Sequence, residues 1–265
     1  MLKNSKFPIG IFDSGVGGTS IWKEIHQLLP FENIIYLSDS KNAPYGNKNK
    51  DAIIDLSIKN TEFLLEQNCK IIVVACNTAT TNAIKVLREK YNIPFIGIEP
   101  AIKPAALQTK TNTIGILATK GTLNSELFEK TSNSINKNIE RVEIIGKGLV
   151  ELIENGKLYS NEMTTLLSSY ILPLIEKKVD SLVLGCTHYP YLIPQIRKII
   201  GNKIKIIDSG EAVAKQTKNI LVKHQIINIE KRNSVHHFYI NKSKKTLEML
   251  VSKDDKNIKI FERDF

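Results

Sequence analysis

Two cysteines are the residues of this 265-residue chain best placed to do chemistry. Cys76 stands in Ala75-Cys76-Asn77-Thr78 and Cys186 in Gly185-Cys186-Thr187-His188-Tyr189-Pro190. Each follows a short apolar run of the kind that forms a buried strand, and each is expected to open a helix. A thiol at a helix N-terminus has its pKa lowered, because free N–H groups and the positive dipole end stabilise the thiolate. A protonated His188 adds to that effect. One thiol on each face of a carbon centre could remove a proton from one side and deliver one to the other. That is inversion at a carbon acid, a racemisation or epimerisation. No pyridoxal phosphate motif is visible, so oriented N–H dipoles and exclusion of water would have to stabilise the carbanion.

The third cysteine, Cys69, reads as a small buried hydrophobe. Zinc is the rival for two Cys and a His, but Cys69 and Cys76 are too far apart for a C-x2-4-C pair, and Cys186-x-His188 is an uncommon pairing; no metal is expected. Two more segments have strand-end character. Asp13-Ser14-Gly15-Val16-Gly17-Gly18 offers glycines for close approach of a ligand, or is a structural turn with Asp13 or Ser14 as a cap. Ala43-Pro44-Tyr45-Gly46, after Asp39 and Ser40, is an ordinary loop or a ligand wall supplied by Tyr45. His236 and His237, on opposite faces of a strand, receive no role.

These residues need strands to hold them, and the pattern supplies ten. Strands are expected over 8–12, 33–37, 70–75, 94–98, 113–117, 139–145, 180–185, 203–207, 235–240 and 258–261, with helical periodicities between them. One such helix begins at the signal Asn49–Asp51. Alternating strand and helix argues for an α/β protein with mostly parallel sheets. An internal echo sharpens this. Ile9 to Gly15 reads like Ile114 to Gly121, and Val73 to Thr78 like Leu182 to Thr187. The expected architecture is two similar doubly wound domains, each with one strand-end cysteine.

Composition sets outer limits. Apolar residues are 42% and charged residues 24%, which fits a globular chain and excludes disorder or coiled coil as its main description. No apolar run approaches the ~20 residues needed to cross a bilayer. Residues 1–7 are short and polar, so no signal peptide is expected and the chain is placed in the cytoplasm. The net charge is +10, but only 5 of the 37 basic residues are arginine. Arginine is the usual base and phosphate reader, so the charge is read as a lysine-rich surface rather than a nucleic-acid footprint.

Taken together, Ile11-Phe12-Asp13-Ser14-Gly15-Val16-Gly17-Gly18, Pro44-Tyr45-Gly46, Ala75-Cys76-Asn77-Thr78-Ala79, Gly97-Ile98-Glu99-Pro100-Ala101, Ala118-Thr119-Lys120-Gly121-Thr122 and Leu184-Gly185-Cys186-Thr187-His188-Tyr189-Pro190 give the chain a family likeness. It resembles bacterial glutamate racemase, of the aspartate/glutamate racemase superfamily, nearly end to end. The resemblance implies a cofactor-independent enzyme that interconverts L- and D-glutamate and supplies D-glutamate for peptidoglycan. It implies that Cys76 and Cys186 are the acid/base pair, with Asp13 beside Cys76 and His188 beside Cys186. Glu154 matches a further acidic site residue, although Gly146-Lys147-Gly148 and Glu151 stand where many members carry a Cys-Pro pair and a second Pro. Asp13, Ser14, Tyr45, Gly46, Asn77, Thr78, Thr119, Thr122 and Thr187 would hold the substrate. The implied domains are 1–98 plus 210–265 and 99–209, with the active site in the cleft between them. Asp208 and Ser209 would cap the helix where the chain returns. A homodimer is implied, and a secondary interaction with DNA gyrase stays open. A sibling racemase acting on aspartate is the nearest alternative.

Overall fold

The computed structural model describes residues 5–231, 233–251 and 256–265. Residues 1–4, part of the polar stretch weighed above as a leader, lie outside the described residues. In chain order the elements are β1 (Ile9–Asp13), α1 (Thr19–Leu28), β2 (Ile34–Ser38), α2 (Lys50–Glu66), β3 (Ile71–Val74), α3 (Asn77–Lys90), β4 (Phe95–Gly97) and α4 (Ile102–Gln108). There follow β5 (Thr113–Ala118), α5 (Lys120–Leu123), α6 (Glu126–Asn133), β6 (Glu140–Ile145), α7 (Leu149–Glu154), α8 (Asn161–Glu176), β7 (Ser181–Gly185), α9 (Ile193–Ile200) and β8 (Lys205–Ile207). The chain ends with α10 (Gly210–Lys223), β9 (His236–Ile240), α11 (Lys245–Leu250) and β10 (Ile258–Glu262). All ten expected strands form, each within a residue or two of its expected bounds.

The strands make two sheets, ordered β10-β9-β2-β1-β3-β4 and β6-β5-β7-β8, and every pairing is parallel. The order β2-β1-β3-β4 in the first repeats as β6-β5-β7-β8 in the second. The echo in the sequence therefore maps strand onto strand: β1 onto β5, and β3 onto β7. β1, β3, β5 and β7 are buried along their whole length, as expected for continuous apolar runs covered by helices on both faces. The helix expected from Asn49 is α2, where the Asn49 side chain accepts from the Ala52 N–H at 2.8 Å.

The chain passes from the first sheet to the second after β4 and returns after β8, where α10 packs on α1. The two crossings are tied: Ser209 Oγ donates to the Glu99 carbonyl at 2.5 Å. Asp208 takes the capping contact alone, accepting from Gly210 N–H at 2.8 Å, and the Ser209 side chain does not cap α10. Away from the crossings, a buried Lys70–Glu32 ion pair at 2.5 Å holds two otherwise distant loops. Lys70 also donates to Ser5 O, and Glu32 accepts from Asn228 N–H. Such a pair is hard to break, because removing one partner leaves the other charge buried and unpaired.

Candidate active site

The carboxyl ends of β1 and β3 in one sheet and of β5 and β7 in the other point at a common enclosed cavity. This is where open α/β sheets bind ligands. Of the thirteen residues expected at the site, ten line it: Ser14, Tyr45, Gly46, Cys76, Asn77, Thr78, Thr119, Cys186, Thr187 and His188. Pro44, Val150 and Gly185 complete the wall. Asp13, Thr122 and Glu154 do not line the cavity but support those that do. The cavity is nearly shut at about 10 Å³, room for about one water. A larger open cleft of about 1090 Å³ lies alongside, sharing Gly46, but no cysteine reaches it.

Cys186 is backed by a chain of two groups. Its Sγ lies 3.7 Å from His188 Nδ1, and His188 Nε2 lies 2.6 Å from Glu154 Oε1. Glu154 is anchored from the first sheet's side: Oε1 accepts from Val16 N–H at 2.7 Å and Oε2 from Ser40 Oγ at 2.7 Å. Burial works to keep His188 neutral. Its hydrogen bonds to Cys186 and Glu154, and the charges they can carry, outweigh that and push it well above the usual histidine range. Cys186 does not sit at the start of an α-helix, contrary to expectation. A turn and a 3-10 segment, Tyr189–Leu192, separate it from α9. Its charged neighbour is the imidazole.

Cys76 does open a helix. It is the N-cap of α3, and its Sγ accepts from Ala79 N–H at 3.4 Å while facing Ser14 Oγ at 3.5 Å. The expected depression of this thiol is not found. Burial pushes Cys76 up and the nearby Asp13 carboxylate adds to it, against smaller opposite effects of Ser14 and Ala79 N–H. Desolvation of a fully enclosed thiol exceeds what one helix end returns. Asp13 is itself raised from 3.8 to about 6 by burial, partly offset by His188 and by the Gly18 and Gly15 N–H groups. Its Oδ2 accepts from Gly15 and Gly18 N–H at 3.2 and 3.0 Å, and its Oδ1 accepts from Thr187 Oγ1 at 3.2 Å.

Contacts across the cavity are short. Thr78 Oγ1 lies 2.8 Å from Thr119 Oγ1 and 3.2 Å from Thr122 Oγ1, and those two lie 3.0 Å apart. Asn77 is buried, yet neither its amide nitrogen nor its oxygen has a hydrogen-bond partner among the described residues. Buried amides of this kind are rare and call for an occupant. The glycine turn serves close approach, but to protein rather than ligand: a Cβ on Gly15 would collide with Glu154, and one on Gly17 with His188. Tyr45 forms wall with its ring. Its hydroxyl points away, donating to Asp39 and accepting from Asn60 Nδ2 at 3.0 Å. Ser40, Asp39 and Val150 were not singled out as site residues from sequence. Ser40 and Asp39 had one signal, their place in the loop after β2. Among the described residues no three or more His, Cys, Asp or Glu side chains converge as a metal site. Cys69 is buried in apolar surroundings that push its thiol to about 12, and His236 accepts from Trp22 Nε1 within the core.

Two sheets with the same strand order, facing each other across an enclosed polar cavity, define an α/β isomerase of the racemase class. The chain matches the Asp/Glu/Hydantoin racemase family over residues 9–217, and it belongs to that family, among its glutamate racemases. It is 44% identical over 215 residues to the glutamate racemase of Ralstonia pickettii, covering 81% of this chain and 76% of that one. Its structure is similar to that of a glutamate racemase isoform from Bacillus anthracis, with a TM-score of 0.85, 32% identity and 97% of each chain covered. It is also similar to the glutamate racemase of Francisella tularensis in complex with D-glutamate, with a TM-score of 0.82, 30% identity and coverage of 97% and 98%.

Proposed function

We propose that this enzyme interconverts L- and D-glutamate without a cofactor, using Cys76 and Cys186 as acid and base on opposite faces of the α-carbon. The observation that carries this reading is the placement of the two thiols. They stand at the ends of equivalent strands, β3 and β7, and line one cavity. One cysteine, as thiolate, takes the α-proton while the other, as thiol, gives a proton to the opposite face; the roles exchange for the reverse reaction. Asn77 and the hydroxyls of Ser14, Thr78, Thr119 and Thr187 hold the substrate carboxylates and amino group. The threonine hydroxyls that now bond one another exchange those contacts for the ligand. N–H groups at the start of α3 face the charge that develops on the carbanion. Asp13 and Thr122 hold Thr187, Thr78 and Thr119 in place, and Gly46 lets the Tyr45 loop lie close against Thr119.

The closed cavity is too small for glutamate, so the domains, 1–98 plus 210–265 and 99–209, part to admit it and close to exclude water. Glutamate is favoured over aspartate by the similarity to glutamate racemases. The family likeness also supports a cytoplasmic homodimer supplying D-glutamate for peptidoglycan, with gyrase binding as a secondary matter. Among the described residues no helix is long and apolar enough to cross a membrane. The test is racemisation in deuterated water. Each enantiomer should gain solvent deuterium at the α-carbon as it inverts. Inversion with full retention of the original proton would sink the two-base reading.

A further inference from the structure

The pair formed by His188 and Glu154 stands in a wall between two cavities. His188 lines the front cavity that holds both cysteines, and Glu154 does not. Glu154 instead lines a back cavity of about 220 Å³ on the other side, together with Val16, Ser40, Asn155 and Lys242. The floor of that cavity, Val16, Ser40 and Glu154, is buried, while Asn155, Lys242 and Ser243 at its rim are exposed. It therefore opens to solvent and reaches in to a carboxylate that touches the imidazole of the front site.

We propose that His188 and Glu154 conduct protons through this wall, connecting Cys186 to water in the back cavity while the front cavity is closed. The inference rests on the two-cysteine reading. In that mechanism each turnover leaves the two thiols in exchanged protonation states, so the enzyme must be reset before it can turn over the same enantiomer again. The front cavity has room for about one water and offers little exchange with bulk solvent when shut. The back route is continuous: 3.7 Å from Cys186 Sγ to His188 Nδ1, then 2.6 Å from Nε2 to Glu154 Oε1. In the unloading direction the Cys186 S–H gives its proton to Nδ1, leaving the thiolate. Nε2 releases its own proton to Glu154, and Glu154 passes one to a water at the cavity floor, which leaves as hydronium. The reverse sequence reloads the thiol. Histidine suits this because its two nitrogens can take up and release protons on opposite sides of the ring. Val16 N–H and Ser40 Oγ fix the carboxylate, and Gly17 N–H donates to Nε2 at 3.2 Å once that nitrogen has given up its proton. Cys76 borders only the front cavity among the two, and it takes up or gives the compensating proton through water there when that cavity opens to release product, so the two exchanges together restore both thiols. The Cys76 Sγ faces Ser14 Oγ and Ala79 N–H, and neither residue borders the back cavity.

The test blocks the back cavity from its exposed rim, with Asn155→Trp and, independently, Ser243→Trp. A radiolabelled glutamate mixture is brought to equilibrium by the enzyme and then challenged with a large excess of unlabelled L-glutamate. The label is driven transiently off equilibrium to the extent that the free enzyme resets slowly. Blocking the cavity should slow the reset about tenfold and enlarge the displacement. It should leave kcat/KM at low glutamate near that of the unmodified enzyme. Displacement equal to that of the unmodified enzyme in both blocked variants, each racemising normally, would overturn the conduit alone. Failure of the unmodified chain to racemise glutamate would overturn the functional reading beneath it.

Discussion

The two cysteines occupy equivalent places on equivalent strands, but their surroundings are unlike. Cys76 caps α3 and meets a hydroxyl and one N–H, with the Asp13 carboxylate close enough to disfavour its ionisation. Cys186 has no helix at its back and faces an imidazole whose other nitrogen is bound to a buried carboxylate. The repeated backbone order explains how two thiols come to face each other. It does not set their protonation. That is done by side chains lent from one half to the other: Glu154 and His188 reach the Gly15–Gly17 turn, and Thr187 reaches Asp13. Under the proposed two-base reaction one thiol starts charged and the other neutral, and burial together with the nearby Asp13 carboxylate disfavours the charge on Cys76.

The hardest blow to this comparison is to remove either thiol. Cys76→Ser and Cys186→Ser should each lower kcat by roughly 10³-fold or more, since a positioned acid or base contributes 10²–10⁴-fold. Circular dichroism should show an unchanged fold. If one variant retained most of its turnover, the two sides would not be partners in one reaction. Because the enantiomers are equally stable, kcat/KM must remain equal in both directions in any variant. Differences between the two sides can appear only in kcat and KM separately.

The next largest effect should come from the Cys186 side alone. His188→Asn or Glu154→Gln removes a hydrogen bond to a charged group, worth about 1.5–3 kcal/mol, or roughly 10–100-fold in rate. The loss should fall unequally on kcat for L- and D-glutamate, because only one thiol is affected. Equal loss in both directions would show that the pair serves both cysteines alike.

On the Cys76 side the readout is stability against pH. Asp13 is raised from 3.8 to about 6 in the folded protein, so folding favours its protonated form. Its contribution is fully present below about pH 4, declines as pH rises towards 6, and is lost above that. Urea unfolding of Asp13→Asn should therefore show a smaller fall in stability between pH 4 and pH 7 than the unmodified protein. The variant should also lose activity, an exchange of stability for function common at active sites. A parallel pH dependence in both proteins would show that Asp13 is not held under this strain.

The same contrast marks how far the residues alone could be read. All ten strands were visible, because buried parallel strands are continuous apolar runs. Both cysteines of the shared cavity were visible too, since each ends such a run. What surrounds each thiol was harder to see. Ser40 and Val16 meet Glu154 across 114 and 138 residues of sequence, and no local pattern encodes that meeting. Its buried place in the wall became apparent only once both sheets were assembled. The glycines were legible as points of close approach, but the approaching groups were not. The helix-end effect at Cys76 failed because burial, a property of the whole fold, opposes and exceeds it.

The smallest effect belongs to the third cysteine, which serves as an internal control for the other two. Cys69 is as buried as Cys76 and carries a thiol raised to about 12, from burial alone. It packs in the apolar layer against Gly10, just before the amino end of β3, and does not border the cavity that holds the other two. Burial by itself thus gives an inert thiol, and what distinguishes Cys76 and Cys186 is their place on a shared cavity. Cys69→Ser should leave kcat and KM within about twofold of the unmodified enzyme, while placing an unpaired hydroxyl in the core at a cost of about 1–3 kcal/mol. Steady-state rates alongside urea unfolding separate the two effects. A large rate loss without loss of stability would mean that burial and reactivity are not divided among the three cysteines in this way.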